Sequence, residues 1–423
     1  MNDDLRNCFY ETDTLIKVDR GCTSRVFLNN AATPLIAKPA IQAIFDTLPV
    51  YSYGNEFNPL SEILNRKYNE VRDIVKAFVG ADPEKDTVIY TSNTTIALNI
   101  LSQIMLEQDP NQVILTTRME HMANYLPYKS KMETVLVRLT PEGDVDMVDY
   151  ATKLNQYSGR IKLVTVTGAS NITGIIPPFY EMAELAHHHG AKICVDAVQL
   201  VQHRQFTMKD HNDSQHIDFV SFDGHKLYTG QSGGVLIGDK AFFDQYMPLI
   251  YGAGITEFVS ASEVIYKGAP DRYEAGYPDF LGIISLGKII RFMERIGMGA
   301  VEAWERKLYL YLIERLSVIP NLMMYGNVNS YPRAPFVTFT MNGISYQNLA
   351  RRLGYEYGIT VAAGTNGSNL YVQDLLQISD AEALSLYESG VGYGTVRATL
   401  GLFNNYQDID RLARALRCIE NTL

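Results

Sequence analysis

The chain has 423 residues, of which 46% are hydrophobic and 20% are charged, and this ordinary globular composition excludes wholesale disorder, a collagen-like fibre and a coiled coil. Its 37 basic and 47 acidic residues give a formal charge of −10, so the chain has no overall attraction for nucleic acid. At about 100–200 residues per domain, this length predicts two or three domains. The four cysteines form no CxxC pair, which argues against a disulfide framework and a zinc site.

The start of the chain, MNDDLRNCFYETD, has neither a basic region nor an apolar stretch, so a secretory leader is not expected. No stretch of 18 or more residues is both uncharged and strongly apolar, so a membrane span is not expected either. The scattered cysteines suit a reducing compartment. Together these features predict a cytoplasmic protein.

Short apolar runs alternate with amphipathic segments through the first 240 residues. The runs are β-branched, bounded by Gly, Pro, Asn or Asp, and almost continuously apolar, which is typical of strands buried on both faces of a largely parallel sheet. The predicted strands are Val26–Asn30, Thr87–Ser92, Val113–Thr117, Thr134–Leu139, Leu163–Gly168, Ile193–Val198, Phe219–Asp223 and Gly234–Gly238.

Helical patterns fill the gaps between these strands. Apolar residues recur at helical spacing over Leu60–Val79, a second helix opens near Thr94, and a third covers Pro178–His189 and stops at Gly190. Strands that alternate with helices predict an α/β domain with right-handed crossovers.

The pattern changes after about residue 280, where two long helices precede a mixed region with two strands and a closing helix. We therefore expect a large α/β domain, 30–290, and a smaller C-terminal α+β domain, 291–423, which the N-terminal segment 1–29 joins. The predicted elements are helices Phe280–Ile296, Ala300–Val318 and Ile409–Ile419 and strands Phe336–Met341 and Thr395–Leu400.

The strongest local signal is a carboxylate and a lysine that follow two buried strands. Asp196 ends the strand in VDAVQ, and Lys226 follows the strand in SFDGHKLYTG. The carboxyl ends of strands form the ligand crevice of an open α/β sheet. A lysine there can form a Schiff base with pyridoxal phosphate while the carboxylate keeps the pyridinium nitrogen protonated. Taken alone, the pair fits a surface lysine and a capping aspartate equally well.

Two further strand ends carry residues that favour this cofactor. In TSNTTIALN, Thr94 and Thr95 offer hydroxyls and free N–H groups at a helix N-terminus, where the helix dipole attracts an anion such as phosphate. Threonine is equally common as a plain helix cap. His121, in MEHMAN, can stack on an aromatic ring, although a lone histidine is more often structural.

Eight motifs, in this order, resemble the class V aminotransferase and cysteine desulfurase family of fold-type I enzymes that use pyridoxal 5′-phosphate. The resemblance covers roughly Arg25 to Leu416. It implies a homodimer with both sites at the subunit interface, and RYEAGYP is the stretch expected to cross over. The motifs are FLNNAATPL, TSNTTIALN, EHMAN, SNITG, VDAVQ, GHKLYTG, RYEAGYP and VRATLGLFNN.

The resemblance also implies roles for single residues. Lys226, Asp196 and His121 are the candidate catalytic residues, as the Schiff-base lysine, the partner of the pyridinium nitrogen and the residue stacked on the ring. Arg397 matches the arginine that clamps the α-carboxylate of an amino-acid substrate, and Asn30 is also assigned to the substrate. The other candidate cofactor contacts are Gln199 near the phenolic oxygen with Asn171 close by, and Thr94, Thr95, His225, Asp223 and Tyr277 for the phosphate.

Two departures from the family concern the substrate side of the site. Cysteine desulfurases carry a nucleophilic cysteine on a mobile loop, whereas the matching segment here, Ile359–Asn369, has no cysteine and places Gly367 at that position. Ala362 stands where many relatives have an arginine. The sequence therefore predicts that no persulfide relay runs through this loop.

Two other departures concern the phosphate. Asp223 stands where relatives have a serine or threonine, and an anion beside a phosphate is unfavourable unless it is protonated, paired or turned away. Tyr277 replaces a threonine that reaches the phosphate of the neighbouring subunit. Gln373–Thr395 is also longer than in the simplest relatives, and it is either a lid carrying Tyr387 and Tyr393 or a surface loop.

These features favour a C–S lyase that performs β-elimination on cysteine, cystine or an S-conjugate. Transamination and epimerisation stay open, because all three reactions start by removing the proton from Cα. The alternative to an enzyme is a non-catalytic scaffold protein. The intact set of candidate site residues argues against it: Lys226, Asp196, Gln199, His121 and Arg397. The expected partner is a small-molecule amino acid, with no nucleic acid, membrane or metal.

Overall fold

The architecture consists of a seven-stranded sheet flanked by helices and a separate four-stranded sheet. This computed structural model describes residues 5–51 and 57–423, so residues 1–4 of the predicted N-terminal segment lie outside it. Among the described residues, no helix combines the length and the apolar character needed to cross a membrane.

Six of the seven strands in the large sheet run in one direction. Gly234–Asp239 is the exception, because it is antiparallel to both of its neighbours. The other neighbouring strands pair in parallel. This confirms the predicted α/β class with a mostly parallel sheet. The strand order is Asp86–Thr91, Gly234–Asp239, Phe219–Asp223, Lys192–Asp196, Ile161–Thr167, Val113–Thr117 and Glu133–Val137.

The helices of the large sheet begin and end at residues with clear capping roles. Asn93 caps the helix Thr94–Gln108 by accepting a hydrogen bond from the Ile96 N–H at 3.1 Å. Gly80, with φ of +59°, ends the preceding helix in a left-handed conformation that glycine adopts readily. The helices up to residue 296 are Lys38–Thr47, Pro59–Val79, Thr94–Gln108, Leu126–Lys129, Met147–Gln156, Phe179–His188, Lys240–Phe243 and Phe280–Ile296.

The four-stranded sheet is antiparallel throughout and has a hydrophobic core of its own. Val26 and Leu28 belong to that core, although the rest of it comes from residues 308–419. Its strands are Leu322–Tyr325, Phe336–Met341, Thr395–Thr399 and Ala362–Gly364, and the helices after residue 296 are Met298–Ser317, Tyr346–Tyr357, Asn369–Leu376, Asp380–Glu388 and Tyr406–Glu420.

The N-terminal strand is shorter than predicted. Only Val26–Phe27 forms a strand, which pairs in parallel with Ile359–Thr360. Beyond Phe27 the chain still makes backbone hydrogen bonds, since the Leu28 N–H donates to the Thr360 carbonyl at 2.9 Å and the Leu28 carbonyl accepts from the Thr399 N–H at 2.8 Å. Asn30 then donates from Nδ2 to the carbonyl oxygen of Thr399 at 2.7 Å. Two short hairpins were not predicted, Leu15–Val18 with Gly21–Ser24 and Thr256–Val259 with Val264–Tyr266. Of the three hydrophobic clusters, two include strands of the large sheet and one belongs to the four-stranded sheet, so each sheet has core residues of its own, as two domains require. The boundary near residue 290 stays a prediction.

Candidate active site

A cavity of about 590 Å³ opens where the large sheet presents the carboxyl ends of its parallel strands. Residues at or shortly after five strand ends form its walls. These ends lie at the same edge of the sheet because the five strands run in one direction, and they are at positions 91, 117, 167, 196 and 223. Arg397 closes the cavity from the smaller sheet. Ten of the twelve predicted site residues line it: Lys226, Asp196, His121, Gln199, Thr94, Thr95, Asn171, Asp223, His225 and Arg397.

Lys226 lies in a 3₁₀ turn, Gly224–Leu227, directly after a central strand. Its ammonium group donates hydrogen bonds to the backbone carbonyls of Ala31, at 2.8 Å, and Ala32. Burial, reinforced by the positive charge of Arg397, lowers the Lys226 pKa to about 8, although Asp223 and Asp196 oppose the shift. The amine is therefore fixed in the cavity by these hydrogen bonds, and it loses its proton at about pH 8.

This lowered pKa predicts how pH controls covalent capture of an aldehyde by Lys226. Only the neutral amine attacks, so the capture rate should rise about tenfold per pH unit up to about pH 8 and then level off. Stopped-flow absorbance after adding pyridoxal 5′-phosphate measures this profile. Arg397→Gln removes a neighbouring positive charge, so its profile should move to higher pH. A midpoint near the value of a free lysine in both proteins would contradict the prediction.

Asp196 ends a buried strand and points into the same cavity. Its Oδ1 accepts a hydrogen bond from the Val198 N–H at 3.1 Å. Burial raises the Asp196 pKa to about 6, so the group is a carboxylate at neutral pH. Gln199, one turn later, donates to the Ala31 carbonyl at 2.7 Å and so contacts the same oxygen as Lys226.

His121 is a neutral imidazole in this cavity. Burial lowers its pKa to about 4, and the positive charges of Lys226 and Arg397 act in the same direction. Its Nδ1 accepts a hydrogen bond from the Ala123 N–H at 3.1 Å, which assigns the ring proton to Nε2. That edge of the ring faces Gly367, where an added Cβ would lie 2.3 Å from Nε2.

Arg397 is buried without a carboxylate partner in the described part of the chain. Its guanidinium donates to the backbone carbonyl of Asn171 at 2.5 Å and to Oδ1 of Asn29 at 3.4 Å, and its Nε has no partner. Burial lowers its pKa to about 9. A buried guanidinium with unused donors suits a carboxylate ligand, which would accept two parallel hydrogen bonds.

Three residues meet at the N-terminus of the helix Thr94–Gln108. The Oδ2 of Asp223 lies 3.3 Å from the Thr94 N–H, and its Oδ1 accepts from the backbone N–H and the Nδ1 of His225, at 3.0 Å and 2.6 Å. The Thr94 hydroxyl is buried and has no partner among the described residues. Thr95 is exposed and also lines the cavity.

Asn30 and Tyr277 do not line the cavity of their own chain. Asn30 is buried, and its Nδ2 donates to the Thr399 carbonyl at 2.7 Å and to Oδ1 of Asn404 at 3.1 Å, while its role towards a substrate stays a prediction. Tyr277 is half exposed, and its hydroxyl lies 3.0 Å from that of Tyr51. A role for Tyr277 in the site of a neighbouring subunit stays a prediction.

The segment after the strand Ala362–Gly364 belongs to the predicted loop Ile359–Asn369, and it adds a cavity residue that the sequence did not single out. Asn366 lines the cavity, and its backbone carbonyl accepts a hydrogen bond from Nδ2 of Asn171 at 2.9 Å. Ser368 donates to Oδ1 of the same side chain at 2.6 Å. The Asn171 amide is therefore engaged with this segment. Asn366 adopts a positive φ of +49°, for which NG in the sequence was the available signal.

The segment Gln373–Thr395 does not form a lid over the cavity in this structure, because none of its residues lines the wall. Most of it is helical, in Asn369–Leu376 and Asp380–Glu388. Tyr387 is exposed at the surface, and the Tyr393 hydroxyl accepts a hydrogen bond from Gln373 at 2.9 Å. The geometry therefore favours a surface segment over a lid.

The cavity fits pyridoxal 5′-phosphate in its charges and its unused polar groups. Lys226 and Asp196 provide an amine and an acid, and the neutral ring of His121 provides an aromatic face. The unpartnered Thr94 hydroxyl lies at a helix N-terminus, which suits an anion. Asp223 is the one carboxylate at that end, and His225 is paired with it.

Comparisons with known proteins agree with this geometry. The sequence model of the aminotransferase class V family matches residues 26–412. A probable cysteine desulfurase from Halalkalibacterium halodurans is 29% identical over 400 residues, 92% of each chain, and another from Pyrococcus abyssi is 30% identical over 408 residues, 94% of this chain and 95% of that one.

A solved structure is similar over the whole chain. The apo structure of a cysteine desulfurase from Thermococcus onnurineus superposes with a TM-score of 0.86 at 28% identity, covering 100% of this chain and 98% of that one. The fold is therefore the predicted fold-type I architecture. The chain belongs to the class V aminotransferase family of enzymes that depend on pyridoxal 5′-phosphate.

Proposed function

We propose that this enzyme is a C–S lyase that eliminates the sulfur group from cysteine, cystine or a cysteine S-conjugate. In the balanced reaction, the substrate and one water give pyruvate, ammonium and the protonated sulfur leaving group. That group is hydrogen sulfide from cysteine, cysteine persulfide from cystine and a thiol from an S-conjugate, and no sulfur passes to the protein. This differs from desulfuration, which leaves alanine and transfers a sulfur atom to an enzyme cysteine.

The observation that carries this proposal is the backbone at Gly367. Its φ of +78° favours glycine, and a Cβ would lie 2.3 Å from His121 Nε2. The Gly367 carbonyl also accepts a hydrogen bond from the Met122 N–H at 2.7 Å, which holds the segment against the His121 turn. A thiol on this residue would collide with the site instead of reaching into it.

The four cysteines cannot replace the missing thiol from their present positions. Cys194 is fully buried in a strand, and burial raises its pKa well above that of a free thiol. Cys8, Cys22 and Cys418 are outside the cavity wall. Release of the sulfur group as a free thiol therefore suits this chain better than transfer to the protein.

Each cavity residue has a role in this proposal. Lys226 would hold the cofactor covalently, Asp196 its ring nitrogen, Gln199 its phenolic oxygen and His121 one face of its ring. When bound, the cofactor supplies an electron sink for the negative charge that develops at Cα.

The remaining steps belong to the chain's own side chains. Arg397 binds the α-carboxylate through its two-pronged guanidinium and so orients the Cα–H bond towards Lys226. Once the amino group of the substrate has displaced it, the Lys226 amine, with its lowered pKa, takes the proton from Cα. No cysteine lies in the described cavity wall, so the sulfur takes up a proton and leaves instead of passing to the protein.

Gly367→Cys should fail to create a desulfurase. We expect a loss of about 1–3 kcal/mol in the free energy of unfolding, because the new side chain must adopt a strained backbone and displace His121. Gly367→Ala is the matched control and should lose a similar amount, because the Cβ alone causes the collision. Denaturant titration measures both. A stable Gly367→Cys protein that makes alanine and a protein persulfide would contradict the proposal.

Product analysis tests the reaction itself. The purified protein is supplied with pyridoxal 5′-phosphate and then with cysteine, cystine or an S-aryl cysteine, and pyruvate, ammonia, thiol and alanine are quantified. Equal amounts of pyruvate, ammonia and the released sulfur compound support the lyase, and that compound is sulfide from cysteine, cysteine persulfide from cystine and a thiol from the S-aryl cysteine. Alanine without pyruvate would contradict it, and keto acid that forms only with an added amino acceptor would identify an aminotransferase. An unchanged substrate that loses only its chirality would identify an epimerase.

We also propose that the enzyme is a homodimer. The hairpin Thr256–Val259 and Val264–Tyr266 exposes apolar side chains, and Tyr277 lies outside the cavity of its own chain. Exposed apolar groups that cluster on one element are typical of an interface. Sedimentation at the mass of a single chain would contradict this proposal.

A further inference from the structure

A carboxylate of the protein occupies the position that an anion would take at the helix N-terminus. Asp223 is only 2% exposed, and its two oxygens accept hydrogen bonds from the Thr94 N–H, the His225 N–H and the His225 ring. These donors are the ones a phosphate would need at this end of the cavity.

The same place also has a polar group that the protein leaves unused. The Thr94 hydroxyl is buried and has no partner in the part of the chain that the structure describes, and Thr94 lines the cavity. Both oxygens of Asp223 beside it accept hydrogen bonds. An unused buried hydroxyl at the start of a 15-residue helix points to a ligand group there. That group must share its donors with Asp223.

We propose that Asp223 sets the cofactor specificity of the site by weakening its preference for pyridoxal 5′-phosphate over pyridoxal. The inference rests on the proposed binding of the cofactor at Lys226. A phosphate would lie beside the Asp223 carboxylate, and two anions in a buried site repel each other. The hydroxymethyl group of pyridoxal is neutral and can donate a hydrogen bond to the same carboxylate.

Three charged or titratable residues near Asp223 affect this balance. His225 is hydrogen-bonded to it and offsets part of its charge, while Lys226 and Asp196 respond to it electrostatically. Lys226 and Asp196 would contact the aldehyde and the ring nitrogen, which pyridoxal and pyridoxal 5′-phosphate have in common. The ratio of the two affinities therefore isolates the effect of Asp223 on the phosphate.

The test is to measure the dissociation constants of both compounds for the full-length protein and Asp223→Asn, following the visible absorbance of the lysine-bound form at equilibrium. Asparagine keeps the shape and removes the charge. We expect the affinity for pyridoxal 5′-phosphate to rise at least about tenfold, or about 1.4 kcal/mol, while that for pyridoxal changes little. Asp146→Asn, at the N-terminus of a helix outside the cavity, is the matched control and should change neither.

The possible outcomes separate this inference from the proposed function. An affinity ratio that stays the same or falls in Asp223→Asn would overturn the inference while pyridoxal binding still supports the site at Lys226. Binding of neither compound to the unmodified protein would overturn both. Asp223→Ser is the second variant if the asparagine protein does not fold, and its ratio should rise in the same direction.

Discussion

Lys226→Ala should abolish covalent binding of the cofactor and reduce turnover at least about a thousandfold, since one side chain supplies both the attachment and the base for the Cα proton. In the structure, no second lysine lines the described cavity wall. The measurements are the visible absorbance of the protein with pyridoxal 5′-phosphate and the rate of pyruvate formation. Borohydride reduction followed by peptide mass analysis should place the label on residue 226 of the unmodified protein.

Lys131→Ala provides the matched control for this experiment. Lys131 is also partly buried, and burial lowers its pKa, but it donates a hydrogen bond to Ser102 at 2.7 Å outside the cavity. Its variant should keep the absorbance and the turnover. A borohydride label on any residue other than Lys226, or a Lys226→Ala protein with normal turnover, would refute the assignment.

Arg397→Lys should lower kcat/KM by about 100-fold or more, mainly through a higher KM. A lysine keeps the positive charge but loses the planar pair of donors that matches a carboxylate, and each hydrogen bond to a charged group contributes about 1.5–3 kcal/mol. The decrease in kcat/KM should be absent for substrates whose α-carboxylate is replaced by an amide. Steady-state kinetics with matched acid and amide substrates measure the difference.

Arg333→Lys is the control for Arg397, since Arg333 is another largely buried arginine but lines a different cavity. It stacks over Tyr309 and donates to the backbone, so its variant affects stability without changing KM. An unchanged KM for Arg397→Lys would place the substrate carboxylate elsewhere.

The departure at Ala362 lies on the strand that pairs with the strand of Arg397. Ala362 is directly opposite Arg397 in the antiparallel pair, so a small residue occupies the position beside the buried guanidinium. The chain therefore has one positive charge fewer here than relatives that carry an arginine at this position.

Two of the predicted site residues bind a backbone carbonyl, and the residue types in a sequence do not reveal which carbonyls face a cavity. Lys226 and Gln199 both bind the carbonyl of Ala31, which the sequence presents as an ordinary alanine. Asn30, in the same motif, was the residue assigned to the substrate. The structure turns the Asn30 amide towards Thr399 and leaves the neighbouring carbonyls to the cavity.

The sequence by itself determined the parallel sheet, the order of its motifs and the identity of the groups at its strand ends. It could do so because buried parallel strands have a distinctive apolar pattern and because the carboxyl ends of such strands meet at one edge. Asp196, Lys226, Thr94 and His121 were found on that ground together with the family resemblance.

Tertiary structure alone decided which of those groups remain free to bind a ligand. Asp223 takes hydrogen bonds from Thr94 and His225, and Gly367 lies against His121, although these residues are far apart in sequence. A hydrogen bond between distant segments, or a Cβ without space, depends on distances set by the packing of whole elements. Residue type and spacing along the chain carry no record of those distances.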